Sequence, residues 1–207
     1  MGSNKVAYIS SDIDAAAAQT EGSAATTKEP TFGFVTITPQ SVAVLSYISK
    51  QAKKQTPLAY ESKVREQALI SLRKKAAVLV TEALQESEMN SPILASVTSG
   101  KGVINEKTLR NIVLAYGGDE SVVGGAVLFL NKTDLIAFGD VRGTNEKKAV
   151  YEIIPDGDNP NTGMIRDGGL SVRYCINSNL IACSGTAQSA SEIVPTMIYG
   201  NPQCFEL

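Results

Sequence analysis

The stretch "TFGFVTITPQSVAVLSYISKQ", Thr31–Gln51, decides how the rest of the chain is read. Its first half sets Phe32, Phe34 and then Thr36 at alternate positions, the period of a strand with one face to cover. Pro39 interrupts, and a second apolar run follows from Val42 to Ile48. Together the runs predict about 20 residues of extended chain, where an ordinary strand has about 5 or 6. Upstream, "KVAYI" (Lys5–Ile9) predicts a short strand, and Ser10–Pro30 is small, polar and poor in core formers. The ribbon from Thr31 is therefore expected to return antiparallel to Lys5–Ile9, closing an arm around a long exposed loop. A lone two-stranded hairpin is marginal in water, so such an arm implies support from another chain.

Downstream lies the clearest helix. Thr56 is a good N-cap and Pro57 suits the first helical position, where its missing N–H costs nothing. Val64, Ala68, Leu72, Ala76, Leu79 and Ala83 recur at spacings of three or four, predicting one apolar stripe. With no Gly or Pro from Leu58 to Glu88, the helix is expected to run about 30 residues, near 45 Å. Asn90–Gly102 reads as a Ser/Gly/Pro loop. "NEKTLRNIVLAYGG" predicts a second helix, capped by Asn105 and ended by Gly117, with Leu109, Ile112, Val113 and Tyr116 inward. "GAVLFLN" reads as a buried strand, and Asn131 as the cap of a short helix, "KTDLIAF", that stops at Gly139. "AVYEII" and "GLSVRYCI" predict strands and "DGDNPNTG" a loop between them. "TMIYGNPQCFEL" predicts two strand-like pieces around a Gly-Asn-Pro turn. The class is α+β: an arm and long helix first, then a mixed unit from about Asn105.

Composition narrows the chemistry. Of 207 residues, 43% are hydrophobic and 19% charged, with a net charge of -2, so a folded chain is expected with no overall attraction to polyanions. The longest near-apolar run, Val122–Leu130, is far short of the ~20 residues a bilayer span needs, and no export signal is visible near Met1. Cys175, Cys183 and Cys204 form no C-x-x-C pair and read as reduced thiols in a cytosolic protein. There is no histidine, which removes Ser-His and Cys-His pairs and His-ligated metals. "SLRK" (Ser71–Lys74) matches the S-x-x-K spacing of serine–lysine acyl enzymes, yet the companion S-D-N and K-T-G motifs are missing. "DGDNPN" (Asp156–Asn161) starts like a calcium loop, but Asn161 stands where glycine is needed and Asp167 where glutamate is needed. "TSGKG" around Lys101 lacks the remaining P-loop residues. No catalytic, cofactor-binding or metal site is assigned, and no cofactor is expected.

Charge is concentrated in one place. Lys50, Lys53, Lys54, Lys63, Arg65, Arg73, Lys74 and Lys75 put 8 of the 19 basic residues within 26 positions, against Glu61 and Glu66 alone. Such a cluster suits either a solvated helix face or non-specific attraction to phosphate. Interleaved aromatics for base stacking are limited to Tyr47 and Tyr60.

Read in order, these segments resemble the major capsid proteins of tailed bacteriophages, the Hong Kong 97-like capsid fold. The ribbon ends in Ser49-Lys50-Gln51, similar to the family's Ser-x-Gln or Ser-x-Glu signature, and the long helix that follows resembles its spine helix. "GAVLFLNKTDLIAFGDVRGTNEKKAVYEI" is similar to the family's strand, Asn-capped helix and turn. "GGLSVRYC" resembles its Gly-x-Pro-Val strand, with Ser171 in place of proline. The resemblance implies an extended loop or arm over residues 1–48, a peripheral-domain part with the long helix over 49–104, and an axial-domain-like α+β unit over 105–207. It also implies a chain trimmed at both ends, lacking the family's N-terminal arm and C-terminal peripheral strands. The function implied is a non-enzymatic subunit of a phage or prophage head. Its partners would be other copies in hexamers and pentamers, packaged double-stranded DNA held non-specifically, and scaffold and portal proteins, with no membrane. The implied location is the virion, and the bacterial cytoplasm before assembly. Phe32, Phe34 and the loop-tip Lys28 are the expected intersubunit contacts, and the basic cluster the expected DNA-facing side. An encapsulin-type nanocompartment shell is the rival within the same fold, and a serine–lysine hydrolase using Ser71 and Lys74 the rival outside it.

Overall fold

The computed structural model describes residues 4–11, 28–39, 41–45, 57–86, 92–116, 124–143, 147–188 and 194–202. Thr56, Gly117, Cys204 and the final strand-like piece after Pro202 lie outside them. The architecture is mixed α plus β. The chain divides into two compact units, Met1–Leu72 and Arg73–Leu207, with the boundary inside the long helix α1, Pro57–Gln85.

In the first unit, β1 (Asn4–Ser11) and β2 (Thr31–Ile37) form a two-stranded antiparallel sheet. The register sets Val6 opposite Val35, Ala7 opposite Phe34 and Ile9 opposite Phe32, with an irregularity between Ile9 and Ser11. The ladder stops at Ile37, which pairs with Asn4 at the start of β1. Thr38, Pro39 and Ser41–Leu45 belong to no strand. The expectation of a ribbon about 20 residues long is corrected to a seven-residue strand, followed over the described residues Thr38, Pro39 and Ser41–Leu45 by chain outside any strand. Ile37 pairs with the first residue of β1, Asn4, and Pro39 two residues on has no N–H for a ladder. α1 begins at Pro57 as its sequence predicts, and its 29 residues span about 43 Å.

The second unit is built on a five-stranded sheet. β5 (Val127–Leu130), β6 (Glu152–Asp156), β7 (Asn159–Asp167), β8 (Leu170–Ile176) and β9 (Ile198–Gly200) lie in the order β6-β7-β8-β5-β9. Only the β5–β8 pair is parallel. Helices α2 (Thr108–Tyr116) and α3 (Lys132–Asp140) supply the residues that cover it. Leu109, Leu128, Leu130, Phe138, Ile165, Val172 and Tyr174 make the core, and Phe138 meets Tyr151 edge-on at 5.1 Å. Tyr116 stacks edge-on with Tyr199 at 5.2 Å, tying α2 to β9.

Two segments expected to be loops carry ladders. Within Asn90–Gly102, β3 (Ser96–Thr98) pairs with β4, Lys101–Val103. Ser99 and Gly100 both take positive φ, 53° and 75°, the geometry of a two-residue turn whose twist matches its strands. Within "DGDNPNTG", the turn at Gly157 is so tight that β7 already starts at Asn159. Its polar residues are tolerated because this end of the ladder is exposed. Gly163 sits where β7 crosses β6 and β8. A Cβ there would overlap the Ile154 carbonyl oxygen and lie 2.8 Å from both Pro155 Cα and the Tyr174 ring. Gly163→Ala is expected to cost about 1–3 kcal/mol, measurable by urea unfolding.

Polar braces hold this unit together. Asn131 caps α3 by accepting from the Thr133 N–H, and its amide donates to the Leu180 carbonyl at 2.7 Å. Asn105 opens α2 in the same way, accepting from the Lys107 N–H. Tyr151 donates to the Asn105 carbonyl at 2.7 Å and accepts from the Leu109 N–H. Its hydroxyl pKa is raised, chiefly by burial. Arg110 grips Asp167 with two bonds of 2.6 and 2.8 Å, and the Asp167 side chain is only 4% exposed. Arg110→Gln is expected to lower Tm by stranding that carboxylate. Adding Asp167→Asn to the same chain is expected to recover part of the loss, because a neutral amide needs no guanidinium; four thermal melts complete the cycle.

The inward side of α1 differs from its expected stripe. Val64, Ala68, Leu72 and Leu79 are half-buried, but Ala76 and Ala83 are exposed, and among the described side chains of α1 the buried one is Thr81. Thr81 donates to the Ala77 carbonyl and accepts from the Asn177 amide at 3.0 Å. One turn on, Gln85 donates to the Pro195 carbonyl. Hydrogen bonding to these distant loops, which periodicity does not register, turns Thr81 inward.

Candidate assembly surface

Residues directly opposite in an antiparallel pair share a face, so the β1–β2 register divides the ribbon's side chains in two. One face carries Ala7, Ile9, Phe32 and Phe34, with Ile9, Phe32 and Phe34 exposed by 51%, 62% and 71%. The other carries Val6 and Val35, together with Tyr8 across from Gly33. The Tyr8 ring lies over that glycine, where a Cβ would fall 2.6 Å from it. Both faces are thus largely apolar and open to water, with Lys5 and Thr36 sharing the Phe32–Phe34 face at one end. Beyond β2 the pattern continues, with Val42, Val44 and Leu45 all exposed. No charged side chain occurs from Pro30 to Ser49, so nothing on this segment argues for permanent solvation.

The expected site residues fall as follows. Phe32 and Phe34 share the larger apolar face, and Lys28 is half-buried just before β2. Lys63, Arg65, Arg73, Lys74 and Lys75 are exposed on α1, while Lys50, Lys53 and Lys54 lie outside the described residues. At about 100° per residue, Lys63, Arg73 and Lys74 fall within one arc of about 100°, and Glu66 falls there too. Arg65 and Lys75 point elsewhere around the helix. Helix geometry therefore spreads the basic residues instead of collecting them in one stripe. Ser71 and Lys74 are both exposed on α1.

A second apolar strip escaped the sequence reading. Ile93, Leu94 and Val97 are exposed by 44%, 64% and 50% on and just before β3. Their run is too short and irregular to show a period. The signal available was compositional, since Met89–Gly100 contains no charge.

A mixed α plus β fold with an apolar, uncovered ribbon defines a candidate for association, and the comparisons with known proteins bear on the fold. No protein-family model and no curated protein matches the sequence. Among solved structures, the chain is similar to one titled "Capsid of native GTA particle computed with C5 symmetry". The TM-score is 0.59 at 14% identity, over 89% of this chain and 66% of that one. At this identity the likeness concerns the fold: the chain folds like a capsid chain and spans about two thirds of its length.

Proposed function

We propose that this protein is a structural, non-enzymatic shell subunit that acts by associating with copies of itself. The observation that carries the reading is the β1–β2 ribbon, whose apolar faces are left open in a chain with a capsid-like fold. A two-stranded sheet buries little by itself, and surfaces of this kind mark association sites. Fully burying a phenylalanine contributes about 1.5–3 kcal/mol, so Phe32 and Phe34 supply a large incentive for another subunit to cover them. In this reading the ribbon is the extended loop of a phage- or prophage-type head protein and α1 its spine helix. Residues 1–48, 49–104 and 105–207 then correspond to loop, peripheral part and axial unit. The shell encloses double-stranded DNA, and Lys63, Arg73 and Lys74 attract its phosphates without reading sequence. Scaffold and portal proteins are the further partners, and the virion the final location.

The test is assembly. Expressed as the full chain together with any scaffold encoded beside it, the protein is expected to give closed particles by negative-stain electron microscopy and fast-sedimenting material. Monomers alone under those conditions would sink the reading. The DNA-facing role is checked separately: Lys63→Glu with Lys74→Glu is expected to leave empty particles intact while weakening DNA retention, with the deficit growing as salt is lowered.

A further inference from the structure

Among the described residues β3 pairs with β4 on one side only. The far side of β4 is taken by the chain at 185–188, through Gly102 N–H to the Thr186 carbonyl, Gly185 N–H to the Gly102 carbonyl and Gln188 N–H to the Gly100 carbonyl, at 2.9–3.1 Å. The alternation of an antiparallel hairpin then fixes which groups are unused. Thr98 and Ser96 turn their peptide groups towards β4, and Val97 turns its N–H and C=O outwards. Exposed edges in soluble proteins are blunted by charge, proline or a bulge. From Ile93 to Gly100 this edge has none of these, and Ile93, Leu94 and Val97 add exposed apolar surface to it.

The same chain carries a strand of matching chemistry. Among the described residues β2 pairs with β1 alone, which leaves its outer edge open there, and it too is free of charge over Thr31–Ile37. We propose that the outer edge of β3 accepts β2 of a second copy, main chain to main chain, in a register that sets Phe34 in line with Val97. This rests on the shell reading above and deepens it by naming the receiving surface. The choice of a second copy's β2, over self-pairing of two β3 edges, follows from geometry. Self-pairing closes into a two-fold dimer, whereas a strand on one unit meeting a different edge on the next is a heterologous contact that propagates into rings and shells. The pairing adds β2, with β1 behind it, to the sheet β3–β4–(185–188), engages the Val97 peptide groups and sets Phe34 beside the exposed Val97 side chain.

Chains bearing Thr36→Cys and chains bearing Thr98→Cys, both exposed positions, are mixed, assembled and treated with a short bismaleimide. A linked dimer is expected in the mixture, sedimenting with the particles and absent from either variant alone. Independently, Val97→Lys with Leu94→Glu is expected to lower particle yield about tenfold or more, the effect of losing about 1.4 kcal/mol per contact, with an unchanged far-ultraviolet circular dichroism spectrum. If the wild-type chain forms particles but the mixture yields no linked dimer beyond the single-variant controls, the β3 edge is not the receiver and the shell reading stands. If the wild-type chain forms no particles with its scaffold, both fall.

Discussion

Asp134→Ala is expected to lower the stability of the second unit by roughly 2–6 kcal/mol, the cost of leaving two inward-facing donors without an acceptor at about 1–3 each. Asp134 lies in the first turn of α3 and is fully buried. Its two oxygens accept from the Cys183 N–H at 2.9 Å and the Ser184 N–H at 2.8 Å. Those bonds hold the loop that continues through Thr186, whose hydroxyl donates back to the Ala182 carbonyl, to the 185–188 segment against β4. The loss should appear as a fall in Tm of about 2–4 °C per kcal/mol and as faster hydrogen exchange over 180–188.

The pH dependence has a definite sign. Burial pushes the Asp134 carboxyl above its ordinary value of 3.8, and the bonds from Ser184 and Cys183 pull it back only in part. The folded form therefore holds this proton at a higher pH than the unfolded form. The linked contribution is fully present below the unfolded value and is lost as pH rises through the folded one. Asp134→Asn abolishes that slope while keeping one acceptor. Urea unfolding across acid to neutral pH is expected to show wild type gaining on the variant as pH falls; a gain in the opposite direction would contradict the burial of this carboxylate.

Phe32→Ser with Phe34→Ser is expected to stop assembly while leaving the chain folded. Both side chains are mostly exposed, and substitutions at such positions usually change stability by under about 0.5 kcal/mol. Their burial in an interface would contribute about 3–6 kcal/mol together, so association should weaken by roughly two to four orders of magnitude. Sedimentation should show subunits replacing particles, with an unchanged melting curve. Val6→Ser with Val35→Ser, on the opposite face of the ribbon, is the informative control. A smaller effect there identifies the Phe32–Phe34 face as the one that docks; equal effects would mean that the ribbon is clasped from both sides.

Much of the fold was legible because local chemistry declares it. Pro57 opens α1, Asn131 caps α3, and the alternation in β2 and β8 survives in the structure. The misses share a cause. The β3–β4 hairpin turns through Ser99, a residue that seldom adopts positive φ, so its turn carries no Asn-Gly or Asp-Gly flag. β7 was hidden because its first residues, Asn159 to Thr162, are polar on a solvated ladder. Thr81 and Asp134 were overlooked because their partners, Asn177 and Cys183–Ser184, are 96 and about 50 residues away in sequence.

The candidate site divides along the same line. Sequence alone determined that an uncharged, alternating apolar strand is followed along the chain by a long helix, because periodicity and composition are local properties. Only the tertiary structure decided which of those apolar residues remain open. Burial depends on which segments meet, and here Leu109, Leu128 and Tyr174 found one another while Phe32, Phe34 and Val97 were left facing water.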